Sequence, residues 1–369
     1  MTRRRDLVLV SAGLGLDGGG RAVVGRLLAR ACAGFARERG IGLRLLSLTG
    51  GGLPEGIGDP AIPARDFRGD MRALALHLWR RQLARRREAY VFDLLGPARV
   101  EAFLPWPLRS PYLVTLHGLE VWHPLEWDRQ RALARATALF AVSAHTLERA
   151  RPYCRGLEKA QVIPLALEER EPAGIADTAL IQQLGRGFVL IAGRMAAGER
   201  YKGHDQLLEA MPRIRELCPA ARLVVAGDGD DRARLQEKAE YLGVGAAVVF
   251  TGFTSEATLG ELYRRCAVFA MPSRGEGFGL VYLEAMRAAR PVLAAQGSAA
   301  AEIVADGETG LLIDPDDREN LAKALARLLR DAGAARRMGW AGRERWEKQF
   351  GADRFRERLE PLLERLVER

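Results

Sequence analysis

Phe188-Val189-Leu190-Ile191-Ala192-Gly193-Arg194 is a short apolar run that stops at a glycine and a cation, and its reading decides the fold. The run is too brief for a helix, and no polar residue alternates within it, so it is a strand covered on both faces. His204–Leu217 follows with apolar residues at helical spacing, and Arg222–Ala226 is a second apolar run. Strand, helix, strand in that order is the repeating unit of a parallel sheet. The alternation continues through strands at Val248–Phe250, Val268–Met271, Pro291–Ala294 and Leu311–Ile313, with helices such as Arg232–Leu242 between them.

Upstream the pattern is the same. Strands read at Leu7–Ser11, Leu43–Leu48, Tyr90–Leu95, Tyr112–Leu116, Leu139–Val142 and Gln161–Leu165, with helices at Arg21–Arg39 and Gln130–Ala138. The sequence therefore predicts an α/β protein of two Rossmann-like doubly wound domains, residues 1–168 and 187–345. Glu168-Glu169-Arg170-Glu171-Pro172 interrupts the alternation, so 169–186 reads as a linker. Residues 346–369 read as a helix that crosses back to the first domain. Two sheets of this kind put their chemistry in a central cleft at the carboxyl ends of the strands.

The 369 residues carry a formal charge of +9, and it is unevenly placed. Residues 1–168 hold 26 Lys and Arg against 16 Asp and Glu, whereas residues 169–369 hold 30 against 31. A basic half beside a neutral half points to an anionic partner for the first domain. Asp70–Arg87 is read as an amphipathic helix whose stripe, Leu74, Leu78, Trp79 and Leu83, lies beside Arg72, Arg80, Arg81, Arg85, Arg86 and Arg87. Such a helix suits an anionic membrane surface, or it is an ordinary covering helix whose stripe packs on the sheet; the stripe serves both fates, and a lipid-linked acceptor favours the first. Nucleic acid is a poor partner, because no recognition motif or interleaving of aromatic and basic residues is present. No apolar stretch is long enough to span a bilayer. The opening Met1-Thr2-Arg3-Arg4-Arg5 reads as the approach to a first strand rather than as a leader. Cys32, Cys154, Cys218 and Cys266 form no close pair, which fits a reducing compartment and gives no zinc site. The expected location is the cytoplasm, at the inner face of the membrane.

Gly193-Arg194-Met195, Tyr201-Lys202-Gly203-His204, Ala226-Gly227-Asp228-Gly229, Pro272 to Leu280, Glu284-Ala285-Met286 and Asp306 to Leu312 occur in one order. Together they resemble the retaining glycosyltransferases of family 4, the group 1 glycosyl transferases of GT-B fold. The resemblance is detailed over residues 187–330 and architectural elsewhere. It implies transfer of a hexose from a nucleotide diphosphate sugar (GDP-mannose, UDP-glucose or UDP-N-acetylglucosamine) to a polysaccharide, lipid-linked or lipid acceptor.

The residues carry the resemblance singly. Arg194 and Lys202 lie beside a strand end and a helix start, where two cations suit a diphosphate whose charge grows as its bond to the sugar breaks. In the family this pair substitutes for a metal, so neither metal nor cofactor is expected. Gly277, Phe278, Gly279 and Leu280 stand at a helix mouth, where N–H groups and the helix dipole attract phosphate. The resemblance gives Glu276 the donor sugar's hydroxyls and Glu284 the ribose hydroxyls. On one helix the two carboxylates would lie about 12 Å apart, too far to flank one bond as in a retaining hydrolase. The resemblance implies instead that the departing phosphate receives the acceptor's proton on the front face.

In the first half, Gly13-Leu14-Gly15-Leu16-Asp17-Gly18 spells a dinucleotide fingerprint, and a nicotinamide-type oxidoreductase is the rival reading. That fingerprint needs an acid at the end of the second strand, where this chain has Leu46-Ser47-Leu48-Thr49. Gly18, Gly19 and Gly20 resemble instead the family's glycine-rich loop to donor phosphate and acceptor. His117, before Gly118 at a strand end, matches the histidine near the donor sugar's far hydroxyls. Ser143 reads as a helix cap. Asp17, Glu120 and His145 are acceptor candidates. Asp228-Gly229-Asp230 and Asp314-Pro315-Asp316 spell the DxD of metal-dependent enzymes, and both read as turns and caps.

Overall fold

The computed structural model describes residues 4–15, 19–49, 62–169 and 174–368. The chain divides into two units: residues up to Ala166 together with those from Ala352 onward, and Leu167–Gly351.

The first unit holds a wholly parallel sheet of β1 (Asp6–Gly13), β2 (Leu43–Thr49), β3 (Ala64–Asp66), β4 (Glu88–Phe92), β5 (Tyr112–Leu116), β6 (Ala138–Ala141) and β7 (Ala160–Val162). Their order is β3-β2-β1-β4-β5-β6-β7, which reverses direction between β1 and β4. The continuous apolar strands are covered on both faces, and Val8, Val10, Tyr90, Phe92, Leu113 and Val114 are almost wholly buried. The terminal helix Ala352–Glu368 belongs to this unit. Its Glu360 and Glu364 accept from Arg39 at 2.6 and 2.5 Å, and Phe355 meets Phe140 ring to ring at 6.3 Å.

Two readings change here. The helix spans Met71–Leu83 only, capped by Asp70, whose carboxylate accepts from the N–H groups of Arg72 and Ala73. Leu74 and Leu78 are 0% exposed in the core, and Trp79 donates its indole N–H to the Val100 oxygen at 3.1 Å. Of the stripe, Leu74 and Leu78 are therefore taken up by the core and Trp79 is half-buried, while Leu83 is exposed. The outward face carries Arg72, Leu76, Arg80 and Leu83.

The second unit holds β8 (Val189–Ala192), β9 (Leu223–Ala226), β10 (Val248–Gly252), β11 (Val268–Met271), β12 (Val292–Ala295) and β13 (Gly310–Ile313). All are parallel, in the order β10-β9-β8-β11-β12-β13, with the reversal between β8 and β11. The stretch read as a linker contributes a helix, Thr178–Leu184, capped by Asp177 and set within this unit. Ile181 and Leu184 are buried, which is why this segment does not run free. The helix Ala332–Gln349 and Phe350 also stay with this unit, so the change of unit falls at Gly351 rather than at 346.

Candidate active site

Ligands of open parallel sheets bind beyond the carboxyl ends of the strands, at the point where the order reverses. In the second unit that point lies between β8 and β11, and the segments leaving those two strands carry the residues singled out above. Arg194 follows β8 by way of Gly193. Lys202 closes the 3-10 segment Ala197–Lys202, and Gly203 then starts the helix His204–Leu217. Gly203 has φ +97°, and a Cβ there would stand 2.8 Å from the Pro272 ring, so only glycine lets the two segments meet.

Arg194 and Lys202 converge. Lys202 Nζ lies 2.8 Å from Glu199 Oε2, Arg194 Nε donates to the same oxygen at 3.3 Å, and Arg194 Nη2 donates to Oε1. Burial raises the Glu199 carboxyl, but the bonds from Arg194 and Lys202 outweigh it and hold the group below its ordinary value. The bond to Glu199 raises Arg194.

Glu276 stands on the segment leaving β11. Its Oε1 is 3.5 Å from the Ser273 hydroxyl, which donates to it. Dense packing pushes this carboxyl up, Lys202 opposes the shift, and the charge of Glu199 adds to it. The helix begins only at Leu280, with Gly279 at φ +101° as its cap. Glu276 is therefore not on the helix of Glu284, and the 12 Å separation based on helical rise does not apply. A Cβ on Gly279 would stand 2.4 Å from the Tyr282 ring. Phe278 is buried and its ring meets Phe350 at 6.2 Å, so what this residue offers a ligand is its backbone. Burial raises Glu284 as well, and the Tyr263 hydroxyl donates to its Oε2 at 2.8 Å.

In the first unit, the segments leaving β1, β4 and β5 meet. His117 N donates to Glu120 Oε1 at 2.5 Å, and the His117 ring Nε2 lies 2.6 Å from the Asp93 oxygen. Glu120, an acceptor candidate by sequence, is engaged in fixing the His117 turn. The Asp93 carboxylate accepts from Ser11 Oγ at 2.5 Å and from Ala12 N at 2.8 and 3.0 Å. Gly19 and Gly20 open the helix Gly19–Arg39, with Gly19 at φ +58°. Asp17 and Gly18 lie outside the described residues. Ser143 caps the helix Ala144–Ala150 by accepting from Thr146 N, and the His145 ring stands edge-on to Trp122 at 5.5 Å.

Neither DxD spelling gathers into a cation site. Asp230 Oδ1 accepts from Ala197 N, Asp228 Oδ1 accepts from Gly229 N, and Asp314 Oδ1 accepts from Asp316 N. Among the described residues no three His, Cys, Asp or Glu side chains come together in a metal-holding group.

The family described as "Glycosyl transferases group 1" matches residues 182–345, the part of the second unit that holds Arg194, Lys202, Glu276 and Glu284. A GDP-mannose-dependent alpha-(1-6)-phosphatidylinositol monomannoside mannosyltransferase of Mycobacterium tuberculosis is 32% identical over 270 residues, 69% of this chain and 69% of its own. The chain belongs to the group 1 glycosyltransferases. A second relative, described in the same words and from Mycolicibacterium smegmatis, is 37% identical over 169 residues. That match covers 43% of this chain and 44% of the relative, so the chain spans less than half of that relative's length. Among solved structures, Anabaena HepE in complex with UDP and glucose superposes with a TM-score of 0.76 at 21% identity, covering 98% of this chain and 99% of its own. Sucrose-phosphate synthase of Thermosynechococcus elongatus gives 0.77 at 21%, with the same coverage. These two likenesses establish the GT-B fold. No described helix is long and apolar enough to cross a membrane.

Glu199 and Tyr263 in the second unit and Asp93 in the first were not singled out from sequence. Glu199 had a signal, since an acid five residues after Arg194 and three before Lys202 stands between the two cations.

Proposed function

We propose that this glycosyltransferase moves a hexose from a nucleotide diphosphate sugar to a hydroxyl of a lipid, lipid-linked or polysaccharide acceptor, with retention at the anomeric carbon. The observation that carries the reading is the convergence of Arg194 and Lys202 on one anionic point whose charges act on Glu276. A developing diphosphate charge is stabilised most by cations already in place. In this reading the two side chains take the role a divalent ion has elsewhere, and no cofactor is needed. Gly277, Gly279 and Leu280 offer backbone N–H groups to phosphate, Glu284 holds the ribose, and Glu276 holds hydroxyls of the sugar. The bond from the anomeric carbon to the phosphate oxygen breaks, the bond to the acceptor oxygen forms, and the acceptor's proton passes to the leaving phosphate. His117 supports turnover from the first unit.

The mycobacterial relatives described as GDP-mannose-dependent and acting on a phosphatidylinositol mannoside favour a lipid acceptor. The outward face Arg72-Leu76-Arg80-Leu83 suits an anionic lipid surface, each basic residue near it adding about 1 kcal/mol.

A thermal-shift panel of GDP-mannose, UDP-glucose and UDP-N-acetylglucosamine tests the donor site, since a matched donor stabilises the fold by mass action. Transfer by the matched donor is expected to persist in EDTA and to be lost in Arg194→Ala, Lys202→Ala and Glu276→Ala without unfolding. Near-normal turnover in any two of these variants would sink the assignment.

A further inference from the structure

The two cations assigned to the donor diphosphate already have an anion, and it belongs to the chain. Glu199 receives Lys202 Nζ at 2.8 Å and Arg194 Nε at 3.3 Å, and Arg194 Nη2 donates to its second oxygen. A carboxylate bridging a guanidinium and an ammonium occupies the place a phosphate group takes with the same two partners, because both anions offer paired oxygens to such donors. The side chains of Glu199 and Lys202 are each 18% exposed, so water screens this pair less than it would an open surface pair.

The backbone that carries Glu199 is anchored independently of this contact. Ala197 N donates to Asp230 Oδ1 at 2.9 Å, and Glu199 N donates to the Ala196 oxygen at 2.8 Å. Arg200 holds Asp231 through bonds of 3.2 and 2.8 Å, and Arg274 N reaches the Tyr201 oxygen at 3.0 Å. Displacing the Glu199 carboxylate therefore requires a change of side-chain rotamer and leaves the loop in place.

On the reading that Arg194 and Lys202 bind the donor diphosphate, we propose that Glu199 is the resident counter-anion of that site, a carboxylate that the diphosphate displaces and that competes with the nucleoside diphosphate product for the same cations. A phosphate carries more charge than a carboxylate and wins the exchange, while the competing carboxylate lowers the affinity of the bound product. Glu199 is thus a positioning residue that keeps both cations ordered when the site holds no nucleotide and speeds product departure.

The test is calorimetric titration of UDP, GDP and inorganic pyrophosphate into wild type, Glu199→Gln, Glu199→Asp, Arg194→Ala and Lys202→Ala. Removing the competing charge is expected to tighten the nucleoside diphosphate that binds wild type by about tenfold, the size of a partly screened ion pair. The inhibition constant of that product against the donor falls by the same factor in Glu199→Gln. The shortened Glu199→Asp gives a smaller gain. Arg194→Ala and Lys202→Ala weaken the same ligand. Weakening in the two cation variants with unchanged or weaker binding in Glu199→Gln overturns the displaceable role and leaves the donor site standing. Wild-type affinity in both cation variants overturns the donor reading itself. Absence of binding by all three probes to wild type and Glu199→Gln alike overturns both. A residue that served only the loop's structure would lower affinity when replaced, so the sign of the change separates the two roles.

Discussion

The ring Nε2 of His117 lies 2.6 Å from the backbone oxygen of Asp93. A carbonyl oxygen only accepts, so Nε2 carries the hydrogen in this contact. The backbone N–H of His117 is also bound, to Glu120 at 2.5 Å, so the residue is held at its backbone and at its ring. On the reading that His117 meets hydroxyls of the donor sugar, this contact sets the orientation in which the ring meets them. Replacing it, His117→Ala, is expected to lower kcat/KM by about 10- to 100-fold, the value of one good bond to substrate. Steady-state kinetics with the matched donor checks this, beside a thermal melt to show the fold retained. Turnover equal to wild type would leave the ring a purely structural role.

Asp93 gives the first unit a pH signature. Burial pushes its carboxyl up to about 6, against the opposing effects of bonds from Ser11 and Ala12 and the nearby charges of His117 and Arg21. A carboxyl whose folded value is raised binds its proton more tightly in the native state than in the unfolded one. Its contribution is therefore full below about pH 4 and is lost as the pH rises through about 6, a change of roughly 3 kcal/mol. Asp93→Asn removes the titration. Denaturant midpoints from pH 4 to 8 should show wild type losing stability relative to Asp93→Asn on going up in pH. A constant or rising difference would contradict the assignment.

Much of this was legible in the chain because buried parallel strands are written as unbroken apolar runs. Val189–Ala192 and Val268–Met271 admit no other reading, and the turns after them expose Arg194 and Glu276 by position alone. β3 escaped because Ala64-Arg65-Asp66 is a partly exposed edge strand without an apolar face. The start of the helix carrying Glu284 was misplaced because Gly279 adopts a positive φ, and nothing in the neighbouring residue types reports that angle. Glu199 was passed over for a different reason. It is the one acid between Arg194 and Lys202, but spacing alone does not show that both cations fold back onto it.

The helix Met71–Leu83 separates packing from surface contact within two turns. Leu78 is 0% exposed and Leu76 is 47% exposed. Leu78→Ala should cost about 2–5 kcal/mol through lost burial and the cavity left behind. Leu76→Ser should stay within about 0.5 kcal/mol of wild type, as surface changes do. Chemical denaturation measures both. In sedimentation with vesicles of anionic lipid, Leu76→Ser together with Arg72→Ser and Arg80→Ser should reduce the bound fraction. Equal binding by this variant, or no difference between anionic and zwitterionic vesicles, would remove the membrane-facing role of this helix.

On the proposed reading that Glu284 holds the donor ribose, Tyr263→Phe probes nucleotide binding with every charged side chain left in place. The Tyr263 hydroxyl donates to Glu284 Oε2 at 2.8 Å, and the tyrosine ring is buried against Phe269, 5.4 Å between centroids. Tyr263→Phe keeps the ring and its packing but leaves one carboxylate oxygen without its donor. A bond to a charged group is worth about 1.5–3 kcal/mol, and its loss also raises a carboxyl that burial has already pushed up. A protonated Glu284 accepts fewer bonds from ribose hydroxyls, so donor affinity should fall by about tenfold or more. The loss should appear mainly in KM, because the ribose lies away from the bond being broken, and it should ease as the pH is raised and Glu284 ionises again. Donor titrations across a range of pH check both points. A drop in kcat at unchanged KM, or a loss that deepens at high pH, would place Glu284 elsewhere in the reaction.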